Sequence, residues 1–250
     1  MLCYNQDMDP TTARQLIELN RQFYADFGTR FSATRQRIQP GVRKIAAELL
    51  GTEHILDLGC GNGELARTLA QNGFRGTYLG LDFSLPLLND ARSQPDGFSA
   101  NFCTADLTSP DWEQSLGSAN FSLITGFAVL HHIPGENLRR SILRKVYKLL
   151  EPGGTFIHSN WQFMNSEKLK HRIQPWETAG LSVKDVDEDD YLLDWRGGGS
   201  GLRYVHLFSP QALSQLAAET GFQMRESFFS DGEGGRLGLY QVWERYENKG

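Results

Sequence analysis

The 250-residue chain predicts an α/β fold: a mostly parallel sheet with helices on both faces, closed by an antiparallel strand. Three observations predict it. The stretch His54 to Ala66, HILDLGCGNGELA, is a short apolar strand running into Asp57, then Gly59, Gly61 and Gly63, then a helix start at Glu64-Leu65-Ala66. Strand-like apolar runs then alternate with helix-like patterns as far as residue 161. The last two apolar runs flank a glycine-rich turn, which reads as a hairpin rather than another βαβ unit.

The elements follow in order. Asp9-Pro10-Thr11-Thr12 reads as a helix start, capped before Pro10 or at Thr11. Leu16, Leu19, Phe23 and Phe27 stand at helical spacing, and Gly28 ends that helix. A loop over 29–40 leads to a second helix over 42–50 and then to the first strand. Behind the glycine turn a helix runs from Glu64 to about Gln71, stopped by Asn72-Gly73. The strand from Thr77 to Leu81 ends at Asp82, and the helix from Ser84 to Ser93 tolerates Pro86 in its first turn. Phe102 to Leu107 is the next strand region, and Trp112 to Leu116 is a short helix. A fourth strand begins at Phe121 and gives way to a loop before Ile133. The helix from Glu136 to Leu150 is apolar at Leu138, Ile142, Val146 and Leu149, and its Arg139, Arg140, Arg144, Lys145 and Lys148 read as a solvated basic face.

From Trp161 to Arg203 the alternation breaks. Lys168, Lys170, His171 and Arg172 form a basic cluster, Asp185 to Asp190 an acidic run, and 197–201 a flexible glycine link. This reads as an insertion, partly helical, that forms a lid. A strand (Tyr204 to Phe208), a helix (Pro210 to Thr220) and the closing strands Phe222 to Phe229 and Leu239 to Glu244 complete the chain. The organisation is one domain over 1–250, with a helical cap over 1–50 and the insertion over 161–203.

Composition bounds the function. A hydrophobic share of 40% supports a sizeable core, and a net charge of −5 argues against a protein that coats nucleic acid through a broad positive field. Cys3, Cys60 and Cys103 fit no disulfide or metal spacing, so a reducing, cytoplasmic compartment is expected and no metal is. His131-His132 lacks the further ligands a metal site needs, and His131 reads as a loop residue capping the helix at Glu136. No apolar run approaches the ~20 residues that cross a bilayer, and the first ten residues do not read as a signal peptide.

The glycine turn carries the chemistry. A dinucleotide fingerprint starting at Gly59 would need glycine at 64, where Glu64 stands. The spacing D-x-G-x-G-x-G from Asp57 instead resembles motif I of the class I S-adenosylmethionine (SAM) methyltransferases. YLGLDFS around Asp82, FCTADL around Asp106, the stretch from Phe121 to Ile133 and LLEPGGTFIHS from Leu149 resemble the motifs that follow in that family. Ser122 stands where the family usually has Asp. The resemblance implies a Rossmann-like seven-stranded sheet with an antiparallel last strand, and SAM as cofactor. It places Asp57, Gly59, Gly61 and Asn62 against the methionine part and Asp82 on the ribose hydroxyls. Phe83 would flank the adenine, with Asp106 and Leu107 near its amino group. Gly126 and Phe127 complete the set, and Tyr24 and Arg35 in the cap are candidates to touch the cofactor.

RFSATR (Arg30 to Arg35), AVLHHIP (Ala128 to Pro134), D-x-L-x-x-W (Asp190 to Trp195), RYVHLFSPQAL (Arg203 to Leu213) and FFSDGEGGRLGLYQVWE (Phe228 to Glu244) resemble a narrower group. These are the methyltransferases that esterify the carboxymethyl group on the wobble uridine of tRNA, whose eukaryotic members work with a small activator subunit. A carboxylate acceptor is already ionised at neutral pH, so it needs cations to hold it rather than a base. Arg203 and His206 are the candidates for positioning it, with Arg30, Arg35 and Tyr204 beside them. An amine or hydroxyl acceptor would need a base, for which His131 and His206 are available. A small-metabolite methyltransferase and a SAM-binding module without transfer activity stay open beside the tRNA reading. No membrane or DNA partner is expected.

Overall fold

The computed structural model describes residues 8–34, 38–95, 97–196 and 201–246. Its core is a seven-stranded sheet. The strands are β1 (His54–Leu58), β2 (Thr77–Asp82), β3 (Ala100–Thr104), β4 (Phe121–Phe127), β5 (Leu150–Trp161), β9 (Phe222–Ser230) and β10 (Gly238–Arg245). A separate three-stranded antiparallel sheet holds β6 (Ile173–Gln174), β7 (Asp190–Trp195) and β8 (Gly201–His206). The large sheet runs β3-β2-β1-β4-β5-β10-β9, with β3, β2, β1, β4 and β5 parallel and β10 antiparallel to both its neighbours.

Period-two alternation explains why helices cover both faces. Leu56, Leu58 and Ile124 face a cluster with Ile142, Leu143 and Val146 of α5 (Glu136–Leu149) and Leu213 and Leu216 of α7 (Pro210–Glu219). Ile55 and Leu123 face Val42 and Ile45 of α2 (Pro40–Glu48) and Leu65 and Leu69 of α3 (Glu64–Gln71). A strand buried on both sides needs apolar residues at every position, which is why the first strand reads as a continuous apolar run.

Two expectations need correction. The first helix, α1 (Pro10–Thr34), continues through Gly28. Gly28 is buried where α1 crosses α4 (Leu85–Ala91): a Cβ there would meet Ser84 Oγ at 3.6 Å and Leu87 Cγ at 3.8 Å. The glycine is a helix-interior contact at that crossing, at ordinary van der Waals distance, and not a stop. The start of α1 is capped by Asp9, whose Oδ1 accepts the Thr11 N–H at 2.7 Å. The insertion is partly helical, with α6 (Glu167–Lys170) and short 3₁₀ turns, and it also carries β6, β7 and the start of β8. Its glycine link, apart from Gly201, lies outside the described residues. Arg139 is not on a solvated face. It is 3% exposed, donates to the Ile133 carbonyl at 2.9 Å and stands 3.6 Å from Asp187.

One residue stitches the cap to the small sheet. Asn20, on the buried stripe of α1 between Leu16 and Phe23, accepts the Tyr204 N–H at 2.9 Å. Its amide donates to the carbonyls of Tyr204 and His132, both at 3.2 Å. A side-chain amide thus pairs with strand backbone, and fixes β8 and the loop after β4 against α1.

Candidate active site

The strand order reverses direction at β1 and β4, and a cavity of about 500 Å³ lies at the C-terminal ends of the parallel strands there. Such a switch point leaves a crevice that loops from both sides can line. The glycine turn after β1 forms its floor. Gly59, Gly61 and Gly63 have φ of +66°, +55° and +75°, and a Cβ at Gly59 would meet Val129 Cγ2 at 2.5 Å. At Gly61 the space is open but the backbone is left-handed, so glycine is favoured there for conformation alone. The Gly61 N–H donates to Asp82 Oδ2 at 2.9 Å, which ties the turn to the tip of β2.

Two carboxylates at this end are deeply buried. Asp82 is 7% exposed, and its Oδ1 accepts the Ser84 N–H at 2.8 Å. Burial raises its pKa against the pull of the Ser84, Gly61 and Phe83 amides. Asp57 accepts hydrogen bonds from Thr125 Oγ1 at 2.6 Å and from the Tyr78 hydroxyl. Burial lifts it to about 6, with the Asp82 charge adding to the effect. Each carboxylate oxygen has a second lone pair beyond the donor named here, so both groups can still accept from a ligand.

The roof is α1. Tyr24 packs edge-on against Phe83 with centroids 5.8 Å apart, and its hydroxyl stands 3.3 Å from His132 Nε2. His132 Nδ1 lies 3.1 Å from the Tyr204 carbonyl. A carbonyl only accepts, so Nδ1 carries the proton, and in the neutral ring Nε2 accepts from Tyr24. Arg21 forms an ion pair with Asp106, whose other oxygen accepts from the Thr108 hydroxyl at 2.7 Å.

Across β4 and β5 the lining changes character. Arg203 is 3% exposed, and its guanidinium lies over the rings of Phe23, Trp161 and Trp195 at 4.8, 5.2 and 5.6 Å. A planar cation packed among aromatic faces is held rigidly without losing its charge. His131 is buried in the same wall and its Nδ1 accepts the Trp161 N–H at 3.2 Å, so it does not cap α5. Parallel neighbours lie ~4.8 Å apart, so the tip of β5 stands roughly 14 Å from that of β2. The cavity therefore has a carboxylate end at β2 and β1 and a cationic, aromatic end at β5 and β8.

Of the residues singled out in the sequence, Tyr24, Asp57, Gly59, Gly61, Asn62, Asp82, Phe83, Asp106, Leu107, Phe127 and Arg203 line this cavity. Two do not. His206 is turned to the buried Asp190, 2.7 Å from its Oδ1, and joins a polar network with Tyr204 instead of the cavity wall. Gly126 is buried under Phe156, where a Cβ would meet the ring at 3.3 Å, so its small size serves packing. Arg35 lies outside the described residues. Sequence reasoning gave no site role to Asn20, Arg21, His132, Trp161 and Trp195, all of which line the cavity. Only Asn20 left a signal, as a polar residue on the apolar stripe of α1.

The cavity fits a nucleoside joined to an amino acid. It offers buried acceptors at Asp82 and Asp57, an apolar slot between Phe83 and Leu107, and an open glycine cradle at Gly61. Comparison with known proteins agrees. A protein of Encephalitozoon cuniculi described only as a methyltransferase is 29% identical over 81% of this chain and 86% of its own length. The tRNA (carboxymethyluridine(34)-5-O)-methyltransferase of Arabidopsis thaliana is 28% identical over 71% of this chain, which spans 38% of that longer protein. The magnesium protoporphyrin IX methyltransferase of Synechocystis with bound S-adenosylhomocysteine superposes with a TM-score of 0.60 at 16% identity, covering 90% of this chain and 97% of that one. A Haloferax volcanii protein crystallised with the Trm112 methyltransferase activator gives 0.64 at 16%, covering 92% and 99%. The methyltransferase domain family model matches residues 20–227, and the chain accordingly belongs to that family, as a SAM-dependent methyltransferase.

Proposed function

We propose that the chain methylates a carboxylate, of the kind carried by carboxymethylated wobble uridine in tRNA. The observation that carries this reading is Arg203, a buried guanidinium at the acceptor end of the cavity, fixed by three aromatic rings. Bound SAM supplies an electrophilic methyl group on a sulfonium. The chain's task is to hold the acceptor in line with it and to exclude water. A carboxylate is already a nucleophilic anion at neutral pH, so Arg203 orients it without a proton transfer. The Arabidopsis relative has this acceptor in its name. The free Cys60 and Cys103 suit a reducing, cytoplasmic setting, and no helix among the described residues is long and apolar enough to cross a membrane. An activator subunit, as in the Haloferax complex, is a candidate partner.

A small-molecule acceptor is the second reading, favoured by the Synechocystis neighbour, whose name specifies magnesium protoporphyrin IX. The two separate in one experiment. SAM labelled in its methyl group is offered with total tRNA or with a metabolite extract, and the products are treated with mild alkali. Label that enters tRNA and leaves as methanol marks a methyl ester. Label confined to small molecules removes the tRNA reading.

A further inference from the structure

The basic cluster and the acidic run of the insertion gain a geometric meaning in the small sheet. Strand β7 begins at Asp190 and ends at Trp195, and at ~3.3 Å per residue its ends stand about 17 Å apart. Asp185, Asp187, Glu188 and Asp189 gather before the first end, where the Leu207 N–H donates to the Asp189 carbonyl at 2.8 Å. At the second end the Asp194 N–H donates to the Arg172 carbonyl at 2.9 Å, and Arg196 follows directly. Arg172 continues from α6, which carries Lys168 and Lys170. The sheet is thus bipolar, acidic where it meets α5 and basic at the opposite end.

The basic end is also the cavity's edge. Leu169, Arg172, Trp195 and Arg203 all line the cavity. Lys168, His171 and Arg196 are exposed around them. Lys170 contacts Glu167 at 2.6 Å in an exposed pair that is worth little and can give way to a phosphate, and the largely exposed Arg196 contacts the mostly buried Asp194 at 2.7 Å. The other basic stretch, on α5, differs on both counts. Arg140 and Lys145 are tied to Glu219 and Glu113, and the exposed Arg144 and Lys148 sit toward the end of α5 that leads away from the cavity into the start of β5.

We infer that the basic end of the small sheet is a docking surface for RNA, holding backbone phosphates while one base enters the cavity beside it. This rests on the reading above that the acceptor is carried on RNA. Phosphates supply the charge such an end attracts, whatever the sequence of the strand that carries them. The acidic end repels the strand beyond it, so the RNA is confined to one side of the sheet. A chain with net charge −5 then needs no broad positive field.

The test measures binding of a fluorescently labelled anticodon stem-loop RNA to the full chain, by anisotropy across a salt series, with S-adenosylhomocysteine present. The double variant Lys168→Glu/Arg196→Glu should lose at least tenfold in RNA affinity. Its salt slope should fall by about 1.5, since each phosphate contact contributes roughly 0.7–0.9. Arg144→Glu/Lys148→Glu should change affinity less than twofold, and both variants should bind S-adenosylhomocysteine as the parent does. Equal losses in the two variants, no RNA binding by the parent, or displacement of RNA by polyglutamate at equal charge would each overturn the inference. Labelled SAM separates the two levels. Label entering tRNA while Lys168→Glu/Arg196→Glu binds RNA normally sinks the docking surface alone. RNA held at this end and never methylated sinks the tRNA reading and leaves the surface standing.

Discussion

Asp57→Asn removes a buried charge whose effect on stability changes with pH. Burial raises the Asp57 carboxyl from 3.8 to about 6, a shift of roughly two units, or ~3 kcal/mol at ~1.4 kcal/mol per unit. The folded chain holds this proton more tightly than the unfolded chain does. The contribution is therefore complete below about pH 4 and is lost as pH rises through about 6. The substituted amide keeps an acceptor for Thr125 and a donor for the Tyr78 oxygen, so the polar contacts survive the change. Urea unfolding of both proteins without ligand, from pH 4 to pH 7, isolates this group because other titrations cancel in the difference. Parent stability minus variant stability should fall by ~2–3 kcal/mol across the range. The lower figure allows for relief of Asp82, which shares the repulsion. A difference constant to within ~0.5 kcal/mol would refute the argument that burial dominates at this site. The resemblance to class I methyltransferases sets the methionine part of SAM against the turn, and an ammonium group there would favour ionised Asp57. Binding at pH 6 should then release a proton, seen calorimetrically as a heat that depends on buffer ionisation, and Asp57→Asn should abolish it.

Other expectations follow from the same geometry. Asp82→Ala deletes the acceptor expected to hold the ribose, and two charge-assisted hydrogen bonds are worth about 3 kcal/mol or more, so SAM affinity by calorimetry should fall over ~100-fold; unchanged affinity would mean the cofactor is misplaced. Arg203→Met keeps much of the packing and removes the charge. SAM should bind within about twofold of the parent while transfer drops by at least ~100-fold, and equal loss of both would move Arg203 to the cofactor side. Asn20→Ala strips its hydrogen bonds from the backbone of Tyr204 and His132, and urea unfolding should report a loss of about 2–4 kcal/mol. Gly59→Ala forces a side chain into a left-handed turn and onto Val129; its unfolding midpoint should drop, and an unchanged midpoint would show that the turn can relax.

The parallel part of the fold was legible because its central strands, such as β1 and β4, are buried on both faces and its helices on one. A strand such as Ile55-Leu56 and a helix such as 136–149 then carry different periods, and the glycine turn marks the join. The insertion was not legible for the opposite reason. Strands β6, β7 and β8 form a small sheet whose burial comes from a distant helix: Leu16 of α1 packs with Leu192 and Tyr204. Nothing near 173–206 in sequence announces that partner. Gly28 misled in a related way. A glycine at the end of an apolar stripe resembles a stop signal, and only the crossing of α4 shows it to be a contact.

The same distinction divides the site. Asp57, Gly61, Asp82 and Asp106 all line the cavity and sit at or just past strand tips, inside short contiguous motifs, so the resemblance of those motifs to the methyltransferase family was enough to point to them. Those at the cationic, aromatic end come from α1, β5, β7 and β8, four elements spread over more than a hundred residues, and no local pattern links Phe23, Trp161, Trp195 and Arg203. His206 shows the cost of reading a short motif as a site. In RYVHLF, residues 203 and 206 differ by an odd number, so in a regular strand their side chains fall on opposite faces. Arg203 faces the cavity, and His206 therefore faces away, toward Asp190. Strand parity alone excludes His206 as a partner of Arg203, once that segment is taken as a strand.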